Sequence, residues 1–291
     1  MAVYTLEARL ALAVEIAEEA GQMIRNAREQ QGFSQRLKGG IELVTDVDVA
    51  VDTLISRRLE ERFPEEARLS EELSPEHALH TPAEQLWVVD PIDGTVNFAQ
   101  GLRHVAVSIG WMEQGVGKVG VIHAPFLGET FSAAEGLGAF CNQQPIQPSG
   151  AETLESTLVG TGFPYQKEQR KKLLPRLEAV LTGCQDVRRN GSAALDLCDV
   201  ACGRLDAYYE SVSPWDFVAG WVIAREAGAR VGHLSEVPDG VPADLYPEQL
   251  LVTTPKAWYS NTLLIPFIFE NKKQAIEKKA QKVLFIWLIK R

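Results

Sequence analysis

Four cysteines in 291 residues, Cys141, Cys184, Cys198 and Cys202, are too few and too irregularly spaced for a disulfide framework, and none form a C-x-x-C pair. Free thiols in a reducing cytoplasm are the expectation. Cys198 and Cys202, four apart on an expected helix, read as small buried hydrophobes. The five histidines, His77, His80, His104, His123 and His233, share no ligand spacing, so surface or core roles are expected of them rather than zinc binding. No apolar run approaches the roughly 20 residues of a membrane span. The N-terminal stretch carries Glu7, Glu15, Glu18 and Glu19 inside its apolar periodicity, which argues for an amphipathic helix and against a signal peptide. There is no G-x-x-x-x-G-K-[ST], no G-x-S-x-G and no H-E-x-x-H, which removes the P-loop, α/β-hydrolase and zincin readings. Basic residues are also short, 29 against 39 acidic for a net charge of −10, so no nucleic-acid partner is expected, while a cation-binding role stays open.

What is present is an ordinary globular composition, 45% hydrophobic and 23% charged. Helical spacing runs from Leu6 to Ala20 and again from 49 to 62, with Gly39 and Gly40 marking a mobile connection between them. LWVVD reads as a short strand that delivers Asp90 to its C-terminal end. HVAVSIGWM and GKVGVIHAP form a hairpin around EQGVG; GVGKVG there matches a dinucleotide fingerprint in letters only, because it enters a strand rather than a helix. ETFSAAEGLGAFCNQQP continues the sheet. From about residue 150 the pattern changes to α/β alternation: strands at TLVGTGFP, DAYYE and ARVGHL, helices at 168–181, SAALDLCDVACG and WDFVAGWVIAREAG. The expected division is therefore an N-terminal α+β lobe, 1–150, and a C-terminal α/β lobe, 151–259. Residues 260–291 differ, with seven basic residues against two acidic, leaving the body at −15. This Lys-rich tail reads as a poorly ordered extension or a shifted reading frame, in preference to a membrane-surface or partner element.

Three acidic motifs carry the chemistry: SEE (Ser70 to Glu72), DPIDGTVNF (Asp90 to Phe98) and PWDFVAG (Pro214 to Gly220). Two carboxylates spaced Asp-x-x-Asp at a strand end, with Pro91 restricting the backbone and Gly94 allowing a tight turn, can converge on hard cations, which take oxygen ligands. A helix opening at Gly94-Thr95 would present backbone N–H groups to a phosphate. In isolation the same residues also fit a capped turn, with Asp93 and Thr95 satisfying a helix N-terminus.

Taken with LVTDVD, TGFPY, RRNGSAALDL and DAYYE, in this order and spacing, the motifs resemble the inositol monophosphatase family, Mg²⁺-dependent and lithium-sensitive phosphomonoesterases, and its bacterial branch in particular. The resemblance implies a layered α/β/α/β/α sandwich, a cytoplasmic homodimer, two or three Mg²⁺ per site, and hydrolysis of inositol monophosphate by metal-activated water. It implies that Glu71 and Asp90 hold a first metal with the Ile92 carbonyl, and that Asp90 bridges to a second metal completed by Asp93 and Asp216. Thr95, with Asp48 behind it, is implied to orient and deprotonate the attacking water. Lys38, in a mobile loop, corresponds to the family's lysine near the metals, and Glu72 to a supporting residue. Gly94, Thr95, Gly191, Ser192 and Ala193 are implied to embrace phosphate and substrate hydroxyls, with Glu210 on a polyol hydroxyl. Arg188 and Arg189 could bind an anionic substrate, but a structural role near the dimer interface is the favoured reading. Alternative substrates are 3′-phosphoadenosine nucleotides, fructose 1,6-bisphosphate, histidinol phosphate and NADP; Val96-Asn97-Phe98 favours the inositol branch, whereas Ser213 departs from the basic residue common in bacterial relatives. An alternative of another class is an interaction protein on a phosphatase scaffold, with the tail as its contact.

Overall fold

The computed structural model describes residues 4–30, 32–40, 42–76 and 83–259. The tail and the segment holding His77 and His80 lie outside the described residues. In chain order the elements are α1 (Leu6–Glu29), β1 (Gln35–Lys38), β2 (Glu42–Thr45), α2 (Asp46–Arg62), β3 (Ala67–Ser70), β4 (Gln85–Asp93), α3 (Thr95–Ala99), β5 (Ala106–Glu113), β6 (Val116–Ala124), β7 (Glu129–Ala134), β8 (Gly138–Cys141) and β9 (Gln144–Pro145). They continue with β10 (Leu158–Thr161), α4 (Lys167–Gly183), β11 (Asp186–Arg188), α5 (Ala193–Ala201), β12 (Ala207–Glu210), α6 (Pro214–Ala227), β13 (Arg230–His233), β14 (Leu250–Thr253) and α7 (Pro255–Tyr259).

Five layers result, as the resemblance implies. A seven-stranded sheet, ordered β3-β4-β5-β6-β7-β8-β9, is antiparallel except for the parallel β3–β4 pair. A five-stranded sheet, ordered β11-β10-β12-β14-β13, combines parallel and antiparallel pairs. Alternation along β4 sends Trp87 and Val89 to one face and Leu86 and Val88 to the other. The first face packs on α1 and α2 through Ile16, Ala20, Ile24, Val51 and Ile55. The second packs on α5 and α6, whose Leu197, Phe217 and Val222 also meet Tyr208 and Val252 of the smaller sheet. That is why α6 is apolar almost all round. Beyond the smaller sheet, Val180 of α4 closes the last layer. Gly120 of β6 lets α6 settle on the large sheet: a Cβ there would stand 2.2 Å from the Ala219 carbonyl oxygen.

EQGVG is a hairpin turn, with Gln114 and Gly115 both at positive φ between paired Glu113 and Val116. Lys38, expected in a loop, sits instead at the end of β1 opposite Glu42, where β1 and β2 pair in register on either side of the Gly39-Gly40 turn. A four-residue, largely exposed strand carries no apolar alternation, so periodicity could not reveal it. Strand β3 likewise had no sequence signal of its own, whereas the short apolar run of β14, LLVT, was passed over in the sequence reading.

Under α1 lies a buried ion pair. Arg9 and Glu66 meet in a bidentate pair at 2.8 Å, with side chains 4% and 9% exposed. The indole N–H groups of Trp87 and Trp111 also donate to Glu66 at 2.8 and 3.0 Å. The guanidinium stands 4.0 Å from the Trp111 ring centre and 4.6 Å from that of Phe63. Removing one partner strands the other charge in the core, so Arg9→Ala is expected to cost about 3 kcal/mol in urea unfolding. A loss under about 1 kcal/mol, the range of a surface pair, would show that the guanidinium is dispensable.

Candidate active site

A cleft of about 420 Å³ opens where the C-terminal end of β4, the start of α3 and the N-termini of α5 and α6 meet. Its floor is acidic. Asp90, Asp93 and Asp216 each offer a carboxylate oxygen within 4.8 Å of the others. The β4–β5 ladder loses register between Asp90 and Asp93, an irregularity at Pro91-Ile92 that allows both carboxylates to reach one site from one strand. Asp90 accepts its own local bond from the Ile92 N–H at 2.9 Å.

The other site carboxylates are held at helix starts. Asp48 closes a capping box on α2: its Oδ2 accepts from the Thr45 N–H at 2.8 Å and the Thr45 hydroxyl at 2.5 Å. Its Oδ1 is left for the Thr95 hydroxyl, 3.0 Å away, which also lies 3.1 Å from the Ile92 carbonyl oxygen. Asp93 Oδ2 accepts from the Ser192 hydroxyl at 2.5 Å and the Ala194 N–H at 2.8 Å, at the N-terminus of α5. Asp216 closes the capping box of α6 through the Ser213 N–H at 2.8 Å.

Burial and mutual repulsion raise these groups together. Asp90 is pushed well above the carboxylate range by burial and then by Glu71, Asp93 and Asp216. Glu71 is raised by burial first, then by Asp216, Glu42 and Glu72. Asp216 rises through burial and Asp93. Asp93 reaches only about 6, because Ser192, the Ala193 and Ala194 N–H groups and the charge of Arg189 offset its burial. Asp48 is raised by burial despite its bonds from Thr45 and Thr95.

Lys38 reaches the same cleft, its Nζ donating to the Glu71 carbonyl at 2.8 Å and approaching Glu72 at 3.4 Å. Gly94, Gly191, Ser192 and Ala193 line the cleft as well. Glu210 lines it too; the Tyr208 hydroxyl donates to it at 2.6 Å, and burial lifts its carboxyl to about 7. Arg188 pairs with Asp186 at 2.5 Å away from the cleft, whereas Arg189, read from sequence as structural, lines it and draws down both Asp93 and Glu210. Among the cleft residues that carried no role in the sequence reading are two carboxylates, Glu42 and Asp196. Asp196 was visible as a carboxylate on the apolar face of its helix. Glu42 was not, since only the hairpin turns it inward.

All donors on the cleft floor are oxygens, and no histidine or cysteine is among the described residues that line it. That is the donor set of a hard divalent cation, and its charge answers the repulsion among these carboxylates. Fold and donor set together define a layered α/β protein with a candidate site for a hard divalent cation. A sequence model of the inositol monophosphatase family matches residues 5–270, and the chain belongs to this family. It is 39% identical over 281 residues to a Synechocystis protein named inositol-1-monophosphatase, covering 96% of each chain. It is also 39% identical over 225 residues to a Salmonella typhimurium protein named Nus factor SuhB, covering 76% of this chain and 84% of that one. The solved inositol monophosphatase of Anabaena (Nostoc) superposes with a TM-score of 0.76 at 34% identity, over 90% of this chain and 96% of that one.

Without metal, folded Glu210 holds a proton between its ordinary 4.5 and about 7, where the unfolded chain has lost it. Its raised value therefore removes stability as pH rises through that window. His123, buried and lowered to about 4, acts in the opposite sense, so the test is a difference. In chelator, the stability of wild type relative to Glu210→Gln is expected to fall between about pH 4.5 and 7, measured by urea unfolding. A difference independent of pH contradicts the burial argument.

Proposed function

We propose that the protein is a Mg²⁺-dependent phosphatase that releases phosphate from inositol monophosphate. The observation that carries this is the convergence of Asp90, Asp93 and Asp216 within 4.8 Å beside the Thr95–Asp48 hydrogen bond. In this reading Glu71, Asp90, the Ile92 carbonyl, Asp93 and Asp216 hold the metal ions. Bound Mg²⁺ supplies Lewis acidity toward phosphoryl oxygens and a water of lowered pKa.

The chain's own residues do the rest. Thr45 occupies one oxygen of Asp48 and leaves the other as acceptor for the Thr95 hydroxyl proton. Thr95 Oγ1 then offers a lone pair toward the cleft, where it orients a water and passes its proton toward Asp48. Gly94 and Thr95 open α3, and their N–H groups face a phosphate together with those of Gly191 and Ser192. Lys38 holds the Glu71 backbone and adds positive charge at the rim. Glu210 accepts a hydrogen bond from a polyol hydroxyl, with Tyr208 fixing its other oxygen. The same reading carries the homodimer, the cytoplasmic setting and lithium sensitivity, on the strength of family membership. The similarity to the Synechocystis protein named inositol-1-monophosphatase supports the substrate.

Asp93→Asn is expected to lower Mg²⁺-dependent phosphate release by more than about a hundredfold with the fold intact. Near wild-type turnover sinks the ligand assignment. The substrate is tested by phosphate release with Mg²⁺, with and without Li⁺, from inositol 1-phosphate, 3′-phosphoadenosine nucleotide, fructose 1,6-bisphosphate, histidinol phosphate and NADP. Inositol 1-phosphate is expected to lead and to be lithium-sensitive; preference for a nucleotide by orders of magnitude overturns the inositol reading.

A further inference from the structure

Asn97, in α3, is 4% exposed and belongs to none of the groups assigned above. Its side-chain amide stands between two loops. Nδ2 lies 2.7 Å from the His104 carbonyl oxygen, 2.9 Å from that of Asn190 and 3.3 Å from that of Gly191. Three acceptors around one NH₂ fix its orientation, since the amide oxygen in that place would face only lone pairs. The last two acceptors are more than 90 positions away in sequence, so the amide ties the β4–α3 corner to the turn that leads into α5.

The consequence follows from peptide geometry. In a planar trans peptide the C=O of one residue and the N–H of the next point in opposite directions. Drawing the Asn190 and Gly191 carbonyls to Asn97 therefore sends the Gly191 and Ser192 N–H groups the other way, and both residues line the cleft. Two consecutive N–H groups so directed form an anion- or oxygen-binding concavity. The turn is also a tight fit. Gly191 has φ 89° and packs its carbonyl against Gly94, φ 91°, where a Cβ would stand 3.2 Å from the Gly191 oxygen and 2.8 Å from that of His104. Downstream of the same turn, Ser192 and Ala194 hold Asp93. The Asn190 side chain is fixed in turn, donating to Asp196 at 2.7 Å.

We propose that Asn97 is the positioning residue of the substrate turn: its amide pins the carbonyls of Asn190 and Gly191 and thereby aims the Gly191 and Ser192 N–H groups into the cleft. This rests on the cleft being the phosphatase site proposed above. The sequence reading used Asn97 only to place the chain in a branch of the family.

Wild type is compared with Asn97→Ala, which removes the donor, and Asn97→Ser, which keeps one shorter donor. Hydrogen–deuterium exchange across 189–194, the thermal midpoint, and kcat and KM for inositol 1-phosphate with Mg²⁺ are measured on each. Exchange in 189–194 is expected to quicken while α1 and the large sheet stay protected. The alanine variant is expected to lose about a hundredfold in kcat/KM, the cost of an ångström-scale misplacement, with serine between alanine and wild type. Unchanged exchange in 189–194 in both variants overturns the proposal, as does quickening spread evenly over the chain with a lowered midpoint. If alanine does not fold, serine decides by the same exchange readout. A wild-type protein that releases no phosphate from inositol 1-phosphate defeats the function proposed above, while exchange in 189–194 still decides the role of Asn97.

Discussion

Like charges gathered in a poorly hydrated place repel, and the architecture of this protein is organised around holding them there. Asp90, Asp93 and Asp216 converge on the cleft floor with Glu71 beside them, and burial and repulsion raise all four. The fold compensates through helix starts. Asp48 and Asp216 are the third residues of α2 and α6 and close their capping boxes, and Asp93 accepts from the first turn of α5. Each spends one oxygen on donors that a helix N-terminus must satisfy anyway, and each lies near the positive end of a helix. The other oxygen is left for the site. One set of bonds thus ends three helices and orients three functional side chains.

The layers serve the same end. Asp90 and Asp93 come from the large sheet, Asp216 and the 191–193 turn from the helices between the sheets, and Glu210 from the small sheet. The site therefore exists only when α5 and α6 are seated between both sheets. Gly120 permits the close seating of α6, and Asn97 ties the β4–α3 corner to the α5 turn.

Much of this was legible in sequence. The long helices and β4 announce themselves by periodicity, because each buries one face or lies wholly inside. Asp-x-x-Asp before Gly-Thr signalled a strand end turning into a helix, and family resemblance supplied partners from distant segments. Short elements were less visible. The β1–β2 hairpin is four residues a side and β1 is mostly exposed, so Lys38 was expected in a loop, and β3 had no pattern of its own. Arg189, Glu42 and Asn97 owe their places to contacts between segments far apart in the chain. Local chemistry cannot announce such contacts: the donor capacity of an amide is written in the sequence, but the three carbonyls that use it are not.

The central claim is that the carboxylate cluster is built for divalent cations and strained without them. Its most direct test is thermal unfolding of the metal-free protein titrated with Mg²⁺. Ligand linkage predicts stabilisation of about 2.7 kcal/mol when Mg²⁺ reaches about a hundredfold its dissociation constant. For a chain of this size that is a rise of roughly 5–10 °C in midpoint. The rise should be lost or strongly reduced in Asp90→Asn and Asp216→Asn. A midpoint that does not move with Mg²⁺, or that moves equally in those variants, contradicts the account.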